Sequence, residues 1–250
     1  MDQQLYNYLL HLGDNALILG HRLAEWCGHA PEMEIDMALT NIALDLTGQA
    51  RNLYQRAAEL EGQGKTEDDI AYFRDAWDFR NVLLVEQPNE DFAFTIVRQF
   101  LFDAYNYFLH KELTNSQDEW LAGYAAKSLK EITYHLRFSS EWMFRLGDGT
   151  DLSHEKLQTA LDERWMFTGE LTTPNELDHQ MAAAGIGPDL GKVKLLFDQK
   201  VEEVMAKATL RKPADTWMQS GGKDGRHSEY LGYILADMQF LQRAYPGLEW

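Results

Sequence analysis

Long stretches with helical periodicity are the feature of this sequence that most restricts its fold. In a first segment, apolar residues recur at steps of three and four, which predicts a helix of about six turns. Its apolar positions are Leu5, Leu9, Leu12, Ala16, Leu19, Leu23 and Trp26. Similar segments cover residues 35–62, 92–113 and 118–147. No strong strand pattern interrupts them, so the sequence predicts an all-α fold.

Shorter helices are predicted to separate and follow the long ones. One covers about residues 67–78, and Pro88 ends a connector. Asn89 is predicted to cap the third long helix. Further helices are predicted over residues 151–168, 174–184, 188–210 and 228–245. Two long helix pairs on either side of Pro88 predict a four-helix bundle with additional C-terminal helices. No linker marks a boundary, so a single domain, 1–250, is expected.

Charge and cysteine content exclude several classes of function. The chain has 23 Lys and Arg against 40 Asp and Glu, a net charge of −17. This balance argues against binding to nucleic acid and to anionic membranes. The single cysteine, Cys27, is expected to be buried, and it excludes an internal disulfide. The absence of a signal peptide and of a run of about 20 apolar residues predicts a cytoplasmic protein.

Two of the long helices carry the outline of a di-metal site in which ligands have been replaced. In a four-helix di-iron carboxylate bundle, two helices each supply a Glu-x-x-His pair and the other two each supply a carboxylate. Here the residue three before Gln49 is Leu46, and the residue three before His135 is Ile132. A hydrophobic side chain cannot bind a metal, so we expect this bundle to hold none.

The polar residues that remain near these positions have two interpretations. The first is a vestigial buried network formed by Asp45, Gln49, Asp103, Glu131 and His135. The second is a metal-dependent ferritin-like oxidase that uses Asp45, Asp103, Glu131 and His135. Glu131 and His135 are four residues apart and can share a helix face. For Glu131, a partly exposed ion pair is a third reading.

Five short segments together are specific for one family, although each is weak alone. They are Leu12-Gly13-Asp14-Asn15, Glu25-Trp26-Cys27-Gly28-His29-Ala30-Pro31, Leu83-Leu84-Val85-Glu86-Gln87-Pro88-Asn89, Tyr134-His135-Leu136-Arg137-Phe138-Ser139, and Gly221-Gly222-Lys223 with His227. Over essentially its full length the sequence resembles the family of the C subunits of phenylacetyl-CoA epoxidase, an enzyme also called 1,2-phenylacetyl-CoA monooxygenase.

The resemblance implies a ferritin-like component of a heteromeric complex. A homologous catalytic chain, the A subunit, would hold the di-iron centre, and a reductase with flavin and an iron–sulfur centre would deliver electrons from NADPH. The complex is implied to epoxidise the aromatic ring of phenylacetyl-CoA. Compared with the catalytic chain, the six ligand positions fall on Ala16, Leu46, Gln49, Asp103, Ile132 and His135. Only Asp103 and His135 remain, which implies a non-catalytic structural subunit without its own cofactor. A homodimer of the isolated chain stays open.

Two segments are candidates for contact with the CoA part of a substrate. They are Trp77-Asp78-Phe79-Arg80 and Glu176-Leu177-Asp178. An aromatic ring can stack on adenine and an arginine can bind phosphate. Ordinary packing and helix capping are the favoured alternative. These segments also keep open a third hypothesis, a CoA-thioester binding protein.

A glycine-rich segment, residues 221–227, invites comparison with phosphate-binding loops. It lacks the ending and the preceding strand of a P-loop. A structural loop in which Ser228 caps the last helix is therefore the preferred reading.

Overall fold

The computed structural model describes residues 2–214 and 216–248. Its α-helices, in chain order, are α1 (Asp2–Ala24), α2 (Met33–Glu61), α3 (Glu67–Tyr72), α4 (Leu83–Glu86), α5 (Phe92–Leu113), α6 (Glu119–Gly147), α7 (Asp151–Arg164), α8 (Thr168–Thr172), α9 (Glu176–Ala183), α10 (Leu190–Lys207) and α11 (Glu229–Ala244). The described residues contain no β-strand. The all-α prediction is confirmed.

The helix ends differ from the predictions where a side chain has another partner. Asp91, not Asn89, caps α5, because its carboxylate accepts bonds from the backbone N–H groups of Ala93 and Phe94. Asn89 instead accepts a 2.7 Å hydrogen bond from Arg98. The segment predicted as one helix over residues 67–78 is α3 followed by a 3₁₀ turn at Ala76–Asp78. A second 3₁₀ turn, Trp165–Phe167, separates α7 from α8.

The described chain forms two compact units. Unit 1 consists of residues 1–88 and 220–250, and unit 2 consists of residues 89–219. The prediction of a single domain stays a prediction beside this division.

The long helices of unit 1, α1 and α2, pack closely because two glycines on α1 lack side chains. A Cβ on Gly13 would lie 2.6 Å from the ring of Tyr54, and one on Gly20 would lie 3.3 Å from the carbonyl oxygen of Ala43. The residue numbers of these contacts run in opposite directions along the two helices, so the pair is antiparallel. Leucines of both helices, including Leu39, are fully buried.

The long helices of unit 2, α5 and α6, are also antiparallel. Phe92 meets Trp142 edge to face at 5.1 Å, and His110 lies 5.8 Å from Tyr124 at the other end of the pair. Helices α7 and α10 pack against α5. A long antiparallel pair in each unit is consistent with a ferritin-like helical bundle. Within the described residues, no helix is both long enough and apolar enough to cross a lipid bilayer.

A close backbone approach in unit 1 fixes the segment that precedes α11. A Cβ on Gly222 would lie 2.2 Å from the carbonyl oxygen of Asn81 and 3.0 Å from the backbone nitrogen of Leu83. Backbone atoms cannot swing away as the end of a flexible side chain can. Glycine is therefore required at position 222 for steric reasons.

Replacing Gly222 by alanine should destabilise the protein by about 1–3 kcal/mol, because the added methyl group displaces packed backbone. Gly232 is a matched control: it lies within α11, and a Cβ there meets nothing within 4 Å. Gly232→Ala should be neutral or stabilising by up to about 1 kcal/mol, since alanine favours helix. Urea unfolding of both variants measures the difference. Equal effects would contradict the steric account.

Candidate functional site

Asp14 is a fully buried carboxylate on α1. It accepts hydrogen bonds from three segments of unit 1. The hydroxyl of Tyr54 donates to it at 2.5 Å, and the backbone N–H of Arg80 donates at 2.7 Å. Arg74 donates from both terminal nitrogens, at 3.1 and 2.5 Å. The Arg74 guanidinium also lies 4.1 Å from the centre of the Phe79 ring. The charge of Asp14 is thus compensated by a cation and neutral donors.

The pKa shifts of Tyr54 and Arg74, the partners of Asp14, follow from this geometry. Burial raises the pKa of the Tyr54 phenol well above its usual value, and the neighbouring Asp14 carboxylate raises it further. Burial opposes the charge of Arg74, but Asp14 outweighs burial and the pKa of the guanidinium is raised. Tyr54 therefore stays a neutral donor and Arg74 stays a cation.

A second buried carboxylate, Glu86 at the end of α4, binds the segment that leads into α11. His227 Nδ1 lies 3.0 Å from one carboxylate oxygen, which also accepts a bond from Asn81 at 3.1 Å. The backbone N–H of Ser228 donates to the other oxygen at 2.7 Å. The second ring nitrogen of His227 lies 2.9 Å from the carbonyl oxygen of Phe79.

Both ring nitrogens of His227 therefore face acceptors. Only the imidazolium form can donate from both nitrogens at once. Burial lowers the pKa of His227, but the hydrogen bond and the charge of Glu86 outweigh burial, and the pKa is raised above its usual value. Glu86 and His227 thus form a buried ion pair.

Three further residues of α1 bind the connector formed by residues 79–86. His11 Nδ1 donates to the carbonyl oxygen of Arg80 at 2.7 Å, and the side-chain oxygen of Asn15 accepts from the backbone N–H of Val82 at 2.8 Å. Near the end of α1, Arg22 donates to the carbonyl oxygen of Glu86 at 2.8 and 3.1 Å. The helix binds the connector along much of its length.

This polar cluster explains three of the segments that carry the family resemblance. Residues 12–15, 83–89 and 221–227 are distant in sequence but contribute to the same hydrogen-bonded assembly in unit 1. Sequence reasoning did not find it, because periodicity says nothing about which loops return to a helix. The sequence signal that could have indicated it is a set of polar residues, His11, Asp14, Asn15 and Arg22, among the many apolar residues of α1.

The glycine-rich loop has a structural role in this assembly, although not the one predicted. Ser228 occupies the N-cap position of α11, but its side chain makes no capping bond. The predicted side-chain cap is therefore wrong, and the contact that Ser228 makes is a hydrogen bond from its backbone N–H to Glu86. Gly225 adopts a φ of 83°, and a Cβ there would meet Arg80 and the carbonyl of Trp77.

In unit 1, the positions that the resemblance aligns with metal ligands carry no charged group. Ala16 and Leu46 are buried, and Gln49 is 3% exposed. Asp45 is half-buried on α2, one residue before Leu46. The methyl groups of Leu46 belong to the apolar core of this helix pair.

In unit 2, the buried carboxylate of Asp103 occupies one of the positions that the resemblance aligns with metal ligands. It accepts hydrogen bonds from neutral donors. Gln99 donates to it at 2.7 Å from one turn earlier on α5, and Ser139 on α6 donates at 2.8 Å. Burial raises the pKa of Asp103 to about 6, and His135, Ser139 and Gln99 offset only part of that effect. The structure thus brings Asp103 and His135 together, whereas Glu131 is half-buried beside the fully buried Ile132.

These residues do not fit a di-iron centre. Both oxygens of Asp103 already accept hydrogen bonds, and Leu46 and Ile132 are apolar where carboxylates are needed. Within residues 2–214 and 216–248, no group of three or more His, Cys, Asp and Glu side chains is placed to hold a metal ion. The donor set is too small for two metal ions.

The candidate CoA-binding residues of unit 1 differ in exposure and in their hydrogen-bond partners. Trp77 is 75% exposed, whereas the ring of Phe79 is fully buried and so cannot meet a ligand from solvent. Arg80 donates back to the carbonyls of Trp77 and Phe79, both at 2.7 Å. Asp78 accepts from the backbone N–H of Asp75.

The second candidate segment begins α9 in unit 2. Asn175 and Asp178 form a reciprocal capping box with two 3.0 Å bonds, and Glu176 accepts from Gln180. Leu177 is half-buried. The alternative of packing and capping therefore accounts for the polar members of both segments.

Cys27 is exposed in the turn after α1, so the prediction that it is buried is wrong. The helix ends at Ala24, and the residues that follow leave the apolar stripe.

Comparison with known proteins agrees with the resemblance seen in the sequence. The family described as phenylacetic acid catabolic protein matches residues 1–250. This chain belongs to that family. It is also similar to the C subunit of the 1,2-phenylacetyl-CoA epoxidase of Escherichia coli K12, with 50% identity over 247 residues. The similarity covers 99% of each chain.

The buried pair in this member of the phenylacetic acid catabolic protein family should make its stability depend on pH. A histidine whose pKa is raised on folding stabilises the native state below its unfolded pKa, about 6.5, and the stabilisation is lost as pH rises through the folded value. We expect the unfolding free energy to decrease as pH rises above about 6.5, and we expect His227→Gln to reduce this decrease. His29→Gln, at an exposed turn residue, should leave the profile unchanged. Urea unfolding from pH 6 to 9 tests this, and parallel wild-type and His227→Gln profiles would contradict it.

Asp103 should affect stability in the opposite direction to His227: removing its charge should stabilise the protein at neutral pH. Its pKa of about 6 means that folding favours the protonated acid, so stability from this group is lost as pH rises from about 4 to 6. Asp103→Asn keeps the shape without the charge and should stabilise the protein at pH 7 by about 1–3 kcal/mol. The gain should disappear near pH 4. Denaturant unfolding at both pH values measures it; a loss of stability at pH 7 would show that the carboxylate is needed as an anion.

Proposed function

We propose that this chain is a non-catalytic structural subunit of a multicomponent phenylacetyl-CoA epoxidase. Its role is to bind a homologous catalytic chain that contains the di-iron centre and to keep that chain in its active form. Electrons would reach the catalytic chain from NADPH through a separate reductase with flavin and iron–sulfur groups. The similarity to the C subunit of an epoxidase over 99% of both chains supports membership of such a complex.

One observation carries the non-catalytic part of the proposal. The positions that need a Glu in a di-iron bundle hold Leu46 and Ile132, and both side chains are completely buried in apolar packing. A carboxylate at either position would have to be desolvated, and an oxidised metal pair without it would lack the anions that balance its charge. The side chains of Leu46 and Ile132 are buried without this desolvation cost.

The state of Asp103 supports the same conclusion. A metal-ligating carboxylate is ionised and offers its lone pairs to the metal. Here both oxygens already accept hydrogen bonds, one from Gln99 and one from Ser139. The carboxylate of Asp103 therefore belongs to a hydrogen-bonded core that needs no metal.

We also propose that the protein is located in the cytoplasm.

Elemental analysis of the isolated chain, produced with iron in excess, should find far less than one iron per chain. Co-expression with the homologous catalytic chain should yield a stable complex in which the iron and the epoxidase activity belong to the catalytic chain. Asp103→Asn should leave the iron content of the complex unchanged. Stoichiometric iron in the isolated wild-type chain, lost in Asp103→Asn, would instead establish the ferritin-like oxidase. Failure of the two chains to co-purify would contradict the structural role.

A further inference from the structure

A cleft in unit 2 has the features of a small-molecule site. It has a volume of about 430 Å³ and lies where α10 crosses the α5–α6 pair. Pockets of about 300–1,000 Å³ with apolar walls and a few polar groups are typical of small-ligand sites. Its walls contain three aromatic residues, Tyr107, Phe108 and Phe144. All three side chains are only half-buried, so their rings retain surface that a ligand can cover.

The charged residues of the cleft do not balance. Arg137, Lys200 and Lys207 line it together with Glu141 and Glu203, so three cations face two carboxylates. Lys200 and Lys207 share Glu203 at 3.2 and 2.6 Å, whereas Arg137 and Glu141 are 4.0 Å apart. The cleft keeps about one positive charge in a protein whose net charge is −17. One anionic group would neutralise it.

A buried hydroxyl adds a directional polar group. Ser140 lines the cleft and is 6% exposed. Its oxygen has no hydrogen-bond partner among the residues that the structure describes. A buried polar atom without a partner costs free energy, so a ligand oxygen that accepts from Ser140 would be favoured.

We propose that this cleft binds a small aromatic monocarboxylate. The ring packs against Tyr107, Phe108 and Phe144, and the carboxylate accepts from Ser140 and is neutralised by the excess cation. Aromatic rings associate in offset or edge-to-face contacts, as Tyr107 and Phe108 already do at 5.1 Å and 82°. This site lies on the chain itself and does not depend on the proposed role within an epoxidase.

Ligand-observed NMR titration of the full-length protein with phenylacetate tests the proposal. We expect saturable binding with one site per chain. Phenylacetamide, which has the ring without the charge, and acetate, which has the charge without the ring, should each bind at least about fivefold more weakly. Absence of saturable binding by phenylacetate up to about 10 mM would overturn the proposal. Equal binding of either analogue would also overturn it, by removing one of its two recognition elements.

Variants locate the site. Lys207→Gln should weaken phenylacetate binding about three- to fivefold, in line with a largely exposed cation. Lys194→Gln is the matched control: it lies on the same helix outside the cleft, and its ion pair with Asp198 has similar length and exposure. Ser140→Leu should abolish binding by filling the cleft, while Ser140→Ala should weaken it about fivefold without adding volume. Equal effects of Lys194→Gln and Lys207→Gln, or unchanged binding by Ser140→Ala, would place the ligand elsewhere.

Discussion

The non-helical part of unit 1 depends on two buried carboxylates that require fixed partners. Asp14 and Glu86 are both fully buried, and a buried charge without a partner costs several kcal/mol. Each is compensated only when distant segments reach it: Arg74 and the backbone of Arg80 for Asp14, and His227 for Glu86. Loops without regular structure are thereby held in one conformation, and the approach of Gly222 to Asn81 is possible only in that conformation.

Unit 2 solves the same problem in a different way. Among the residues that the structure describes, Asp103 has no arginine or lysine in contact, and its donors are the neutral groups of Gln99 and Ser139. Without a cation close enough to outweigh burial, its pKa rises to about 6. A buried acid that can become neutral is tolerated in a core, whereas Asp14 depends on a charge beside it. Asp14 therefore belongs to an ion-paired cluster in unit 1, whereas Asp103 is a buried acid with neutral donors in unit 2.

Sequence patterns predicted the long helices well, because apolar stripes act locally. The predicted ends of α2 and α6, residues 62 and 147, lie within one residue of the observed ends. The cap of α5 was missed, since Asn89 and Asp91 are both suitable and only the tertiary contact of Asn89 with Arg98 decides between them. The polar cluster around Asp14 and Glu86 and the cleft at Ser140 could not be predicted. Each is formed by segments that are distant in sequence and meet only in the folded structure.

Under the proposed function, the buried hydrophobic residues Leu46 and Ile132 also show how a bundle of this kind could keep its fold without a metal site. Metal ligands in a helical core are buried polar groups, so loss of the metal leaves their charges unpaired and costly. Exchanging two of them for hydrophobic residues of similar size removes that cost and adds apolar contacts. The Asp103 carboxylate is then accommodated by its hydrogen bonds with Gln99 and Ser139. A helical partner freed from metal binding in this way can be selected for its surfaces alone, which is the property that a structural subunit requires.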